Sequence, residues 1–285
     1  MSNTAQVVTP EPEPFTRLGD RLRVWQGDLS RHEQTNVGVV RGDDAVVVID
    51  ANFESAARRI LADIAEAEAL PVSHVVNTHY HVDHSLGNGV YVAAGATVIG
   101  GAGQRRELLD KGPEDAVIQV GAVPERFFPA TLEFTGTMAF PEAGLELQTV
   151  GPAHTLGDVV AWLPEIGVLF VGDLAVAWSH GNNFSDVDAD MEGWIRALSH
   201  CIALQPAVVV PAHGRLAGVD VLTGQRDFIE ELWAWSLDEA EIEGEAITDR
   251  TTTHFVERYP EFAVEPERFA EMARSMLRAA RRTRV

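Results

Sequence analysis

Residues 79 to 84 read HYHVDH, three histidines and one aspartate within six positions. A stable core gains little from that density, because imidazoles and carboxylates cost free energy to bury unless they are partnered. Cation coordination supplies such partners. His79 and His81 follow the run VSHVV two positions apart, a spacing that puts both side chains on one face of extended chain. Asp83 and His84 come next, as the chain turns toward SLGNG. Nitrogen and oxygen donors without sulfur suit zinc, and also iron or manganese, better than copper(I) or an iron–sulfur cluster.

Four donors in one loop exceed what a single catalytic ion with an open position takes from one segment. Three more candidates follow apolar runs and lie beside glycine: His154 in GPAHTLGD, Asp173 in LFVGD and His213 in VVPAHG. Glycine leaves room there for a tight turn or a ligand. Any one of these residues alone would more simply be a surface or capping group; seven together point to two metal ions. The other histidines, His32, His74, His180, His200 and His254, receive no metal role.

Strands and helices must bring these donors together. RLRVWQGD, TNVGVVRG and DAVVVIDAN are short β-rich runs, with a hairpin implied at RGDDA. ESAARRILADIAEAEAL has helical spacing and ends before Pro71, after which VSHVVNTHYH returns to strand. The second half repeats the plan, with LELQTVG, DVVAWLP and GVLFVGD as strands, DMEGWIRALSHCIAL as helix and PAVVVPAHG as strand. In each half an apolar strand ends in aspartate (Asp50, Asp173), a helix follows, and the next strand runs into histidine. Alternating strands and helices predict α/β layers, and the hairpins predict mixed sheets.

The proline-rich residues 1–14 are expected to form a loose leader, 15–235 the catalytic domain and 236–285 a helical extension packed on it. That extension begins acidic and ends arginine-rich, a solvated helical pattern; a homo-oligomer through it is compatible with the sequence but not called for. The formal charge of −21, from 43 acidic and 22 basic residues, repels phosphate backbones and anionic surfaces, so no nucleic-acid or membrane partner is expected. With no signal-like start or long apolar segment, the expected location is cytoplasmic. The single Cys201 lies in an apolar helical pattern and reads as core.

THYHVDH, AHTLGD, VGD and PAHG in this order resemble the metallo-β-lactamase superfamily over residues 20–220 or so. The resemblance implies an αβ/βα four-layer sandwich, two mixed sheets flanked by helices, with the metals at its rim. It assigns His79, His81 and His154 to one ion, Asp83, His84 and His213 to the other, and Asp173 to both. It implies a hydrolase, with two divalent ions, zinc for preference, about 3.5 to 4 Å apart sharing a hydroxide that attacks a small-molecule carbonyl. One ion would steady the oxyanion and the other the leaving group; Asp173 would fix the spacing and Asp83 orient the nucleophile, making these two the catalytic carboxylates. Aspartate at 173 resembles the glyoxalase II and lactonase branches more than the β-lactamases, which carry cysteine or serine there. No basic cluster adjoins the motifs and no tyrosine stands shortly after Asp173 in GDLAVAWSHGNN, unlike the lactonases, so the bond narrows only to ester, thioester, lactone or amide. A β-lactamase is one alternative. Another is a persulfide dioxygenase with a single iron on His79, His154 and Asp173.

Asp50 could accept the second ring N–H of a metal-bound imidazole, or merely close a strand. AWSHGNNFSD offers Trp178, His180, Asn182 and Asn183 to the pocket, or forms an ordinary polar loop. GGAGQRREL mimics a phosphate-binding turn, but a lone glycine-rich connection is insufficient for one.

Overall fold

The computed structural model describes residues 15–28, 34–177, 189–239, 245–259 and 266–283. The leader at 1–14, His32, and the segment 178–188 with Trp178, His180, Asn182 and Asn183 lie outside the described residues.

The first sheet has seven strands in sequence order: β1 (Phe15–Leu18), β2 (Leu22–Trp25), β3 (Val37–Arg41), β4 (Val46–Ile49), β5 (Val72–Val76), β6 (Thr97–Gly101) and β7 (Leu132–Phe134). Antiparallel pairing runs from β1 to β4, and parallel pairing from β4 to β7. Parallel neighbours need crossovers, and the chain provides α1 (Glu54–Glu68), then the short α2 (Val82–Ser85) and α3 (Asn88–Ala93), then α4 (Gln104–Val120). The second sheet orders β12 (Val208–Val210), β11 (Val168–Phe170), β10 (Val159–Leu163), β9 (Leu145–Thr149) and β8 (Thr137–Phe140). Only β11 and β12 are parallel there, joined through α5 (Met191–Ala203). Helices α6 (Asp220–Glu239), α7 (Glu245–Arg258) and α8 (Pro266–Thr283) complete the described chain.

Strand alternation sorts the apolar residues into layers. In β4, Val47 and Ile49 point between the sheets while Val46 and Val48 point outward onto α1. In β10, Val159, Ala161 and Leu163 enter the inter-sheet core, whereas Val160 and Trp162 face α5 and the C-terminal helices. Both faces are covered, which is why these strands are continuous apolar runs. Each fully buried Leu, Ile or Val contributes roughly 1.5–3 kcal/mol. The result is the four-layer αβ/βα sandwich with two mixed sheets. Residues from α5, α6, α7 and α8 share one cluster, including Trp194, Cys201, Phe228, Phe255 and Met276, so Cys201 is a core thiol as expected. No helix among the described residues is long and apolar enough to cross a membrane.

Two local expectations need correction. β5 ends at Val76, so His79 and His81 lie beyond the strand, and their convergence comes from loop geometry rather than strand alternation. β11 ends at Phe170, and Asp173 lies in a 3-10 turn over Gly172–Leu174.

Candidate metal centre

The loop after β5 is built by buried amides. Asn77 Nδ2 donates to the His84 carbonyl (2.8 Å) and to Asn88 Oδ1 (3.1 Å), and Asn88 Nδ2 returns a bond to Asn77 Oδ1 (2.7 Å). Ser85 Oγ donates to the Tyr80 and His81 carbonyls, closing the turn around His81. Gly87 permits the tight approach to β4, since a Cβ there would stand 2.3 Å from the Ala51 carbonyl oxygen. Thr78 donates through both N–H and Oγ1 to Asp50, which follows β4 in the left-handed region at φ 61°. Aspartate tolerates that conformation better than most residues.

The other donors arrive from the second sheet. His154 follows β9 in a loop held by Asp158, whose carboxylate accepts from Thr155 N–H (2.9 Å) and pairs with Thr155 Oγ1 (2.8 Å). The indole of Trp194 packs edge-on against His154 with ring centres 5.1 Å apart. His213 follows β12, its Nδ1 held 3.0 Å from the Gln34 carbonyl. Asp173 follows β11.

All seven candidate side chains meet. His81 Nδ1 lies 2.9 Å from His79 Nε2 and 3.2 Å from His154 Nε2. Asp173 Oδ2 faces this set, 4.0 Å from His79 Nε2 and 3.7 Å from His154 Nε2. Its other oxygen, Oδ1, faces a second set, 3.1 Å from His213 Nε2 and 3.6 Å from His84 Nε2. Asp83 Oδ2 completes that set at 3.3 Å from His213 Nε2 and 3.4 Å from His84 Nε2. Both sets, His79, His81, His154 and Asp173, and Asp83, His84 and His213, can hold a metal ion. The fit is supported by His84 Nε2, a buried ring nitrogen with no hydrogen bond that looks toward two carboxylates. Its other nitrogen, Nδ1, lies 3.1 Å from Asp50 Oδ2, so Asp50 makes the contact expected of a carboxylate behind a coordinating imidazole.

The electrostatics differ between the sets. Burial, reinforced by His84 and His81, holds His79 well below the usual histidine range, leaving a neutral ring with an available lone pair. Burial would depress His84 too, but Asp83 and Asp50 hold it well above that range. Against the same opposition from burial, Asp173 and Asp83 push His213 up to about 10. Burial would raise both carboxylates, yet His84 and His213 keep Asp83 and Asp173 well below the usual carboxylate range. The second set is thus an anion–cation network whose protons a metal ion would displace.

The family model described as the metallo-beta-lactamase superfamily matches residues 31–213, more than half of the chain and all seven candidates. The chain belongs to this superfamily. It is 29% identical over 184 residues to a hydroxyacylglutathione hydrolase of Rhodobacter capsulatus, covering 61% of each chain. It spans about three fifths of that relative's length. A metallo-beta-lactamase type 2 of Bacteroides fragilis is 25% identical over 230 residues, covering 76% of this chain and 85% of its own. Among solved structures, a metallo-beta-lactamase from Pontibacter korlensis superposes with a TM-score of 0.63 at 21% identity, covering 76% of this chain and 98% of that one. The latter likeness concerns the fold.

Other residues, which no sequence motif marks, join the cluster. Thr35 Oγ1 donates to Asp83 Oδ2 (3.1 Å) and Gln119 Nε2 to Asp83 Oδ1 (3.1 Å). Neither lies in a motif. His74, His200 and His254 have other contacts: a ring contact with Phe140, a hydrogen bond with Gln148, and a stack on Trp235. The phosphate-like turn before α4 is already occupied by a carboxylate, since Glu133 Oε1 accepts from the N–H groups of Gly103 and Arg105.

Proposed function

We propose that the protein is a dinuclear metal-dependent hydrolase that cleaves an ester, thioester, lactone or amide bond of a small molecule. The observation that carries this reading is Asp173, with Oδ2 toward one donor set and Oδ1 toward the other. Two divalent cations would supply Lewis acidity and bring the pKa of a shared water to near 7. The sulfur-free donors suit zinc best, with iron or manganese as substitutes.

In this reading His79, His81 and His154 hold one ion, and Asp83, His84 and His213 the other. Asp173 sets the separation of the two sets. Asp83, whose Oδ2 is steadied by Thr35, would also orient the attacking water. His79 and His84 are 1% and 0% exposed, so the donor cluster is shielded from bulk water on its inner side, which strengthens its electrostatics. The named activity of the Rhodobacter relative favours an acyl thioester among the candidate bonds, and that of the Bacteroides relative puts β-lactams among the compounds to be tried. A mononuclear iron site on His79, His154 and Asp173 would leave the second set without a role, so the two-ion reading is preferred. We place the enzyme in the cytoplasm, acting on small molecules.

Metal analysis of purified protein, followed by thioester, lactone, aryl ester and β-lactam panels, tests the proposal. Two zinc ions per chain and hydrolysis that Asp83→Ala lowers by orders of magnitude are expected. One iron per chain with oxygen uptake on persulfides would overturn it, as would unchanged rates in the variant.

A further inference from the structure

Helix α4 packs a polar face against the loops that carry the cluster. Leu109, Val117, Ile118 and Val120 are exposed on it, while Gln104 and Glu107 are buried and Asp115 and Gln119, four residues apart, are half-buried on the side of the site. Each makes a contact along the site. Gln104 Nε2 donates to the carbonyls of Asn77, Thr78 and Gly157 (3.1, 3.1 and 2.7 Å). Glu107 Oε1 accepts from Leu156 N–H at 3.3 Å, and Asp115 Oδ2 from Val82 N–H at 2.8 Å. At the far end Gln119 Nε2 donates to Asp115 Oδ1 (2.8 Å) and to Asp83 Oδ1 (3.1 Å).

Both acceptors of Gln119 are carboxylate oxygens, which only accept when ionised, so the amide nitrogen rather than its oxygen must face them. The two N–H groups are thereby spent on two anions, and the amide separates like charges that would otherwise repel. The torsion that turns a carboxylate about its own axis is broad and intrinsically weak, so hydrogen bonds decide where each oxygen points. Thr35 contacts Oδ2, the oxygen beside His84 and His213, and Gln119 holds Oδ1, the oxygen turned the other way. Asp115 ties the same amide to the first residue of α2, the turn that carries Asp83 and His84.

We infer that Gln119, braced by Asp115, is a positioning residue that fixes the Asp83 carboxylate for the second ion of the dinuclear site. The inference rests on the proposed function, since it needs Asp83, His84 and His213 to bind a metal. Gln119→Met keeps the length and removes the donors. Zinc titration of the metal-free protein against a chromophoric chelator, for wild type, Gln119→Met and Asp83→Ala, resolves the binding steps. The expected result is a loss of about 10- to 100-fold in the step that Asp83→Ala weakens, with the other step within about twofold. The thermal midpoint of the metal-free variant should stay within about 2 °C of wild type. Equal binding by variant and wild type would overturn the inference alone. So would a loss shared by both steps together with a lower metal-free midpoint, which would make Gln119 a general structural residue. Wild type that binds fewer than two ions would overturn the parent reading, and the inference with it.

Discussion

Asp50 Oδ2 stands 3.1 Å from His84 Nδ1, turning His84 Nε2 toward Asp83 and Asp173. The same carboxylate accepts from Thr78 N–H, so one side chain sets both the imidazole and the loop that carries His79. Asp50→Asn keeps the shape and removes the charge that favours an N–H on Nδ1. Outer carboxylates of this kind are worth about 10- to 100-fold in metal affinity. The variant should therefore lose about that factor for zinc, read by competition with a chelator. Wild-type affinity would show that the contact does not orient His84.

Metal removal should cost stability. The second set buries Asp83 between His84 and His213, and ions that bind only the folded chain stabilise it by mass action. At a free concentration about 1,000 times Kd, one ion adds about 4 kcal/mol, on the order of 10 °C in Tm for a domain of this size. Calorimetry of protein stripped by a chelator, then refilled with zinc, should show a drop and recovery of that order. An unchanged Tm would mean that the cluster holds no ion tightly.

The parts visible in the sequence and the parts hidden from it divide along physical lines. β4 and β10 are buried on both faces, and their runs VVVI and VVAWL announce them. β1, β7 and β8 carry no such signal; all three are edge strands, short and partly exposed, with no apolar run to mark them. Donors close in sequence, as in HYHVDH, were readable because local spacing forces them together. Asp50 was recognisable because it ends a strand in the same plan that leads to Asp173. Thr35 and Gln119 reach Asp83 across 48 and 36 residues, and only the packing of α4 and the β3 entry brings them there. Helix α4 also blurs the usual pattern, burying Gln104 and Glu107 beside Leu108 and Ala116 and leaving Ile118 outward, so hydrophobic periodicity points away from its role.

Asp158 should make stability depend on pH. Burial pushes its carboxyl up to about 7, from an ordinary 3.8, despite the bonds from Thr155. A carboxyl whose pKa is raised by folding is protonated more in the native state, so its contribution is full below about 3.8 and is lost as pH rises through about 7. At 1.36 kcal/mol per unit the loss is on the order of 4 kcal/mol. Asp158→Asn keeps an acceptor for Thr155 and cannot ionise. The Tm advantage of the variant over wild type should therefore grow between pH 5 and pH 8, measured by calorimetry. A constant difference across that range would show that Asp158 does not titrate there.

Gly172 precedes Asp173 at φ +53°, and a Cβ added to it would stand 2.8 Å from the Thr78 side chain. Thr78 has little freedom to retreat, because Asp50 holds both its N–H and its Oγ1. Gly172→Ala therefore combines a left-handed backbone with a collision, a cost of about 1–3 kcal/mol. The strain falls on the two loops that meet at the cluster, so relief by backbone shift would move Asp173 away from His79 and His213 together. The variant should show a lower Tm without metal and weaker zinc binding at both steps, unlike Gln119→Met, which should affect only one. Equal Tm and equal binding would mean that the Gly172 backbone relaxes without disturbing Asp173, and that the glycine is not what lets the Asp173 carboxylate face both sets.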